Sequence, residues 1–242
     1  MTESLYIVMP AYNESENIEL VVKQWHPIIE KIGNNSRLVI VDDSSKDNTY
    51  EILLKLKESF PCLEAITKPN TGHGITCLFA YKYAINNKAD WIFQTDSDGQ
   101  TDPNEFWTFW NKRKEYDFLI GLRNSRKDGL DRIFVTNVLR FLLFLVFKKN
   151  IPDANTPYRL VKNNVLKHYI SLIPSDSFLS NVIMSALIVK DNVPSIWIPI
   201  NFKPRQGGTN SINFKKIINI GLKGIKDFCY INKSIKSIKK NN

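Results

Sequence analysis

Four short apolar runs, each closing on a polar cluster, divide the first hundred positions. They are Leu5 to Met9, Arg37 to Val41, Leu63 to Thr67 and Trp91 to Thr95, and β-branched residues are frequent in them. The stretches between them carry apolar residues at helical spacing. Asn13 to Lys31 places Ile18, Val21, Val22 and Trp25 on one side, and Asp47 to Ser59 does the same with Ile52, Leu53 and Leu56. Thr71 to Asn87 is a third helix, reached through Gly72 and Gly74. Ser15 or Asn13 is expected to cap the first helix, and Asp47 or Ser45 the second. Strands alternating with helices at these intervals predict an α/β fold: a Rossmann-like, mostly parallel sheet with helices on both faces. Such sheets take ligands at the carboxyl ends of their strands. The polar clusters fall there, as Pro10-Ala11-Tyr12-Asn13-Glu14, Asp42-Asp43-Ser44-Ser45 and Asp96-Ser97-Asp98-Gly99-Gln100.

The second half is less regular. A strand near Phe118 to Gly121 precedes a polar loop, Arg123 to Arg132, and a strongly apolar helix, Ile133 to Phe147. A loop at Ile151 to Thr156 leads into a strand at Tyr158 to Val161, after which come helices and a strand near Ser195 to Phe202. A Gly-containing loop, Gln206 to Asn210, precedes a basic C-terminal helix. No internal repeat or clean linker interrupts the chain, so residues 1–212 are expected to form one catalytic domain, with 213–242 as a tail.

Charge sharpens that division. The chain of 242 residues carries a net +9, yet ten basic residues and the single acid Asp227 lie from Lys203 onward, so the first 202 residues are balanced. A neutral body with a basic tail argues against a general nucleic-acid binder and for one anionic surface near the C-terminus. Cys62, Cys77 and Cys229 are too scattered for a disulfide framework or a CxxC metal site, which favours a reducing compartment. His26, His73 and His168 are equally dispersed, which argues against a His-ligated zinc enzyme. No run is long and apolar enough to cross a bilayer, and Thr2-Glu3-Ser4 gives no secretion signal.

Asp96 and Asp98 sit two apart after a strand, so both carboxylates can face one ligand. Two such charges repel, and a hard divalent cation is the usual compensation. Taken alone, Asp-Ser-Asp-Gly is as readily a solvated turn. Gly72 and Gly74 flank His73 at a helix start, where backbone N–H groups favour phosphate, although simple loop geometry explains two glycines equally well.

Order and spacing decide between these options. Pro10-Ala11-Tyr12-Asn13-Glu14, Val41-Asp42-Asp43-Ser44-Ser45-x-Asp47, Asn70-x-Gly72-x-Gly74 and Asp96-x-Asp98-Gly99-Gln100 follow four successive strands. Together they resemble the family 2 glycosyltransferases over roughly the first 120 residues. That resemblance implies a GT-A fold, a nucleotide-diphospho-sugar donor and inverting transfer. It implies that Pro10, Tyr12 and Glu14 line the nucleotide, that Asp43 holds the base or ribose, and that Gly72 approaches the donor. It further implies that Asp96 and Asp98 bind Mg²⁺ or Mn²⁺ with the diphosphate, Gln100 lying close by. His73 stands where a basic residue is common.

Gly121-x-Arg123-x-x-Arg126 with Arg132, Asp153-x-x-x-Pro157-Tyr158-Arg159-Leu160, and Arg205-x-x-Gly208-x-x-Ser211 resemble elements of the branch acting on polyprenol phosphates. An acceptor phosphate is already nucleophilic and needs cations to bind and orient it. Arg123, Arg132, Arg159 and Arg205, with Ser211, are therefore expected at the acceptor, and Arg126, Asp98 and Asp153 in catalysis. A sugar hydroxyl acceptor would instead need a carboxylate base, for which Asp153 is the candidate.

Phe214, Ile217, Ile218, Gly221, Ile225 and Phe228 recur at helical spacing among Lys215, Lys216, Lys223 and Lys226. This basic amphipathic helix suits an anionic bilayer surface, or else packs on the body with solvated lysines. Leu139, Leu142, Leu143, Leu145 and Val146 form a second apolar stripe that faces either lipid or the core. The expectation is a cytoplasmic, peripheral enzyme at the inner face of the membrane, moving a sugar from a UDP- or GDP-sugar to polyprenyl phosphate. An integral-membrane partner and a role in cell-wall biogenesis fit that picture, and nucleic acid is not an expected partner. The rivals are transfer to a glycan hydroxyl in surface-polysaccharide assembly and a non-catalytic nucleotide- or membrane-binding module.

Overall fold

The structure, a computed structural model, describes residues 3–33, 35–123 and 130–203 (side chains of 130–138 excepted), together with Lys223, Gly224, Asp227, Phe228 and Ile231. The expected alternation is present. Strands β1 (Leu5–Ala11), β2 (Arg37–Asp42), β3 (Leu63–Thr67) and β4 (Trp91–Thr95) are separated by helices α1 (Ile18–Ile32), α2 (Thr49–Ser59) and α3 (His73–Asn86). A 3-10 turn at Pro103–Glu105 opens helix α4 (Phe106–Lys112), a helix the sequence reading lacks. Then come β5 (Phe118–Arg123), α5 (Leu130–Phe147), β6 (Tyr158–Lys162), α6 (Asn163–Ile170), α7 (Ser180–Lys190) and β7 (Ser195–Ile200).

The seven strands form one sheet in the order β3-β2-β1-β4-β6-β5-β7. Four of the six neighbour relations are parallel, and β6 alone runs against both its neighbours, β4 and β5. The sheet is therefore mostly parallel and flanked by helices, as expected of a GT-A fold.

Alternating side chains feed two cores, one on each face. Val8, Val39, Ile92 and Val161 face α3, α5, α6 and α7. Ile7, Ile40, Phe93 and Leu160 face α1, α2 and α4. The second core is aromatic at its centre: Phe93 lies 4.7 Å from Tyr158 and 5.1 Å from Phe106, both edge-on. Such pairs add about 0.5–1.5 kcal/mol each beyond area burial.

The differences from expectation lie at the starts of helices. Asn13 adopts φ +55°, and α1 begins only at Ile18, after a turn in which Glu14 O accepts from the amides of Asn17 and Ile18. Neither Ser15 nor Asn13 caps it. Asp47 does serve α2, accepting from the Thr49 amide at 3.0 Å. The stripe on α5 divides: Leu143 and Phe147 are buried, whereas Phe141, Phe144 and Leu145 are exposed.

Of the C-terminal tail, Phe228 and Ile231 are buried in the same core as α5 and α7, with Phe228 packed 6.0 Å from the Phe147 ring. Phe214, Ile217, Ile218, Gly221, Ile225, Cys229 and the boundary at 212–213 lie outside the described residues. Among the described residues no helix is long and apolar enough to cross a membrane.

Candidate active site

The carboxyl ends of β1, β2 and β4 converge because the three strands are parallel neighbours. At the β4 end, Ser97 is buried and its hydroxyl donates to Pro10 O at 2.8 Å. The flanking Asp96 and Asp98 are both half-buried at this strand end. Asp98 Oδ1 accepts from the Gln100 amide at 3.1 Å. Asp96 Oδ1 accepts from Gln94 Nε2 at 3.1 Å and lies 3.0 Å from His73 Nε2.

These are hard oxygen donors, suited to Mg²⁺ or Mn²⁺. Among the described residues no cluster of three or more His, Cys, Asp or Glu could hold a metal by itself. Two carboxylates completed by diphosphate oxygens and water is the arrangement that Mg²⁺ favours, so the residues fit the expected cation.

Asp43, expected at the base or ribose, is tied to its own chain at the β2 end. It is buried, and its carboxylate accepts from Lys68 Nζ, the Thr71 amide (2.9 Å) and the Gly72 amide (2.7 Å). Burial alone would raise its pKa, but the Lys68 ammonium and the two amides outweigh it and hold the carboxyl below its ordinary value. In the described contacts Asp43 is thus the tie that folds residues 68–72 over the sheet end. Asp42, also buried, accepts from Ser45 N and from Thr67 Oγ1. Glu14 is buried too, with Oε2 accepting from Asn17 Nδ2 at 2.8 Å. Tyr12 remains half-buried at the β1 end.

The two glycines of Asn70-x-Gly72-x-Gly74 have packing reasons. Gly72 adopts φ +91°, which L side chains rarely tolerate. A Cβ on Gly74 would lie 2.2 Å from the carbonyl oxygen of Phe178, so only glycine lets the segment before α7 cross α3 this closely. Ser180 Oγ donates to Gly74 O and fixes the crossing.

Of the residues expected at the acceptor, Arg123 at the end of β5 donates through Nε and Nη2 to the two oxygens of Asp153, each at 2.8 Å. Arg159 requires a correction. Expected at the acceptor, it is completely buried on β6 and its donors are spent on protein: Ala154 O, Thr156 O, Asn181 O and Ser185 Oγ. It cannot reach a ligand, because burial among carbonyls has already satisfied its fork. Burial also lowers its pKa. Gln100 pairs with the segment after β7, Nε2 donating to Lys203 O at 2.9 Å. Arg126, Arg205 and Ser211, and the side chain of Arg132, lie outside the described residues.

The sequence reading also missed Lys68, Phe178, Gln94 and Asn181. Only Gln94, a lone amide in an apolar strand two residues before Asp96, carried a visible signal. The others come from distant segments.

Residues 6–170 match the model of Glycosyl transferase family 2. The chain belongs to glycosyltransferase family 2. Solved structures similar to this family member include glucosyl-3-phosphoglycerate synthase from Mycobacterium tuberculosis in complex with Mn²⁺ and uridine-diphosphate-glucose. There the TM-score is 0.70 at 13% identity, over 96% of this chain and 79% of that one. The same enzyme in complex with phosphoglyceric acid gives 0.67 at 15%, over 94% and 80%. Mannosyl-3-phosphoglycerate synthase from Rubrobacter xylanophilus gives 0.69 at 13%, over 93% and 73%. At these identities the likeness establishes a shared fold for the family 2 chain.

Proposed function

We propose that this glycosyltransferase is metal-dependent and transfers a sugar, with inversion, from a UDP- or GDP-sugar to the phosphate of polyprenyl phosphate. The observation that carries the reading is the register around β6. Arg159 pairs with Gln94 on one side and Ile120 on the other, two residues before Asp96 and three before Arg123. Since β6 runs opposite to both neighbours, its leading loop with Asp153 enters at the edge where β4 and β5 end. A cation-binding pair and a forked cation therefore share one edge of the sheet.

Bound Mg²⁺ or Mn²⁺ supplies positive charge for the departing nucleoside diphosphate. Asp96 and Asp98 hold it, Tyr12 lies at the nucleotide end, and the Gly72 amide, held by Asp43, opens the helix beside the donor. Arg123 binds and orients the acceptor phosphate. Its grip on both oxygens of Asp153 makes that carboxylate a positioning group rather than a base, which favours a phosphate over a sugar hydroxyl. The similar synthases support a UDP-sugar and Mn²⁺, and their acceptors carry phosphate too.

The lipid reading draws on Phe141, Phe144 and Leu145, exposed on α5 beside exposed Arg140 and Lys148, and on the basic C-terminal segment. It places the enzyme peripherally on the cytoplasmic face of a membrane. Purified protein would be given UDP- and GDP-sugars with Mn²⁺ and, in parallel, polyprenyl phosphate, phosphoglycerate and a soluble glycan. Product on polyprenyl phosphate is expected. Product on phosphoglycerate alone would move the acceptor to a soluble phosphate ester, and product on the glycan alone would refute the phosphate reading.

A further inference from the structure

Below the sheet edge a chain of buried polar groups crosses an otherwise apolar core. Tyr81 on α3, Gln94 on β4 and Asn181 on α7 are each at most 3% exposed. Tyr81 Oη donates to Asn181 Oδ1 at 2.8 Å, Asn181 Nδ2 donates to Gln94 Oε1 at 3.0 Å, and Gln94 Nε2 donates to Asp96 Oδ1 at 3.1 Å. Every step runs donor to acceptor in one direction and ends on a carboxylate that the active site exposes. The direction is fixed: turning the Gln94 amide over would set its oxygen against Asp96 and its NH₂ against the NH₂ of Asn181. Arg159, the cross-strand partner of Gln94, donates to the main-chain oxygen of Asn181 at 3.0 Å and so anchors the start of α7.

Burying three polar side chains in a core is costly unless each is paired, and here each is. Apolar residues would fill the same space at no such cost, and the path ends on Asp96, with a side contact from Asn181 Nδ2 to Cys77 Sγ at 4.0 Å. We infer that Gln94 and Asn181 are positioning residues for the divalent-cation site: the Gln94 amide, oriented by Asn181, holds Asp96 through Oδ1, on which His73 Nε2 also bears at 3.0 Å, so that Oδ2 is the oxygen presented to the cation. The inference rests on the reading that Asp96 is a cation ligand. Groups that orient metal-binding carboxylates in this way commonly govern affinity by 10–100-fold.

The test measures Mn²⁺ binding in the presence of UDP, by the paramagnetic resonance signal of free Mn²⁺, for wild type, Gln94→Met, Asn181→Leu and Tyr81→Phe. Melting temperature and UDP affinity in EDTA are followed alongside. Gln94→Met and Asn181→Leu are expected to weaken Mn²⁺ about 10–100-fold with metal-free UDP affinity retained. In an Asp96→Asn background they are expected to add nothing, because their effect passes through Asp96. Tyr81→Phe removes one hydroxyl, keeps the packing and is expected to give a smaller loss, so it serves if the other two do not fold. Unchanged Mn²⁺ affinity in the variants that fold, or an equal loss with Asp96 already replaced, overturns the inference. Wild type that binds no Mn²⁺ overturns instead the reading of the site on which it rests.

Discussion

Arg123 holds both carboxylate oxygens of Asp153 at 2.8 Å, joining the end of β5 to the loop that leads into β6. Both side chains are about nine-tenths buried, so the pair is shielded from solvent and its geometry is held. On the proposed reading an acceptor phosphate would compete for the same fork, since planar guanidinium matches both anions.

Replacing Arg123 by Lys keeps the charge and loses the second donor direction. Acceptor kcat/KM is expected to fall about 10–100-fold, the equivalent of ~1.5–3 kcal/mol for charge-assisted bonds, while the donor KM stays near wild type. Steady-state kinetics with the two substrates varied separately checks this. Equal losses in both would argue that the pair only supports the fold.

Asp98→Ala removes a half-buried carboxylate whose described bond is to the neighbouring Gln100 amide. The fold is expected to survive and metal-dependent donor turnover to disappear. The Mn²⁺-dependent part of the thermal shift produced by UDP should vanish with it. Turnover at the wild-type rate would refute the role given to this residue.

Asp43 gives a pH prediction. Its folded pKa lies below its ordinary value of 3.8, so the stability it contributes is present above that value and lost as pH falls through the lower, folded one. Asp43→Asn leaves half-buried Lys68 without its counter-charge, though still bonded to Pro69 O and Thr71 Oγ1, and should cost about 1–3 kcal/mol near neutral pH. The gap between wild type and variant, followed by urea unfolding, is expected to narrow below about pH 4. A gap independent of pH would deny the charge any part in it.

Gly74→Ala sets a methyl against the Phe178 carbonyl. Backbone must move, at a cost of about 1–3 kcal/mol by analogy with overpacked cores. Thermal unfolding should show the loss. An unchanged melting temperature would mean that the segment before α7 shifts freely.

Phe228→Ala tests whether the tail belongs to the core. The ring is buried against Phe147, and truncating such a residue typically costs about 3–5 kcal/mol. Calorimetry should record a clear fall in melting temperature. Without one, this part of the tail contributes nothing to the fold.

The alternation that set the fold class was readable because it is local. Ile7, Ile40 and Phe93 repeat along strands at period two, and Val21, Val22 and Trp25 along a helix, so a few neighbours suffice to reveal them. The Asp96-x-Asp98 pair proposed for the cation was equally open, because its members are two residues apart in the chain. Arg159 was misread for the opposite reason. Its place in a motif resembling an acceptor element says nothing of the carbonyls at 154, 156 and 181 that enclose it. The contacts of Lys68, Thr71 and Gly72 with Asp43 were likewise invisible in its motif.

From the amino-acid order alone came the mostly parallel sheet, the polar strand ends, the family resemblance and the two aspartates, all written in short-range periodicity and spacing. Tertiary structure alone decided that β6 runs backwards between β4 and β5, that Arg123 closes on Asp153, and that Tyr81, Asn181 and Gln94 line up beneath Asp96. Apart from Gln94 with Asp96, the side-chain contacts among them join residues 30 to 100 positions apart in the chain. Whether such side chains meet depends on how whole elements pack, which no local pattern encodes.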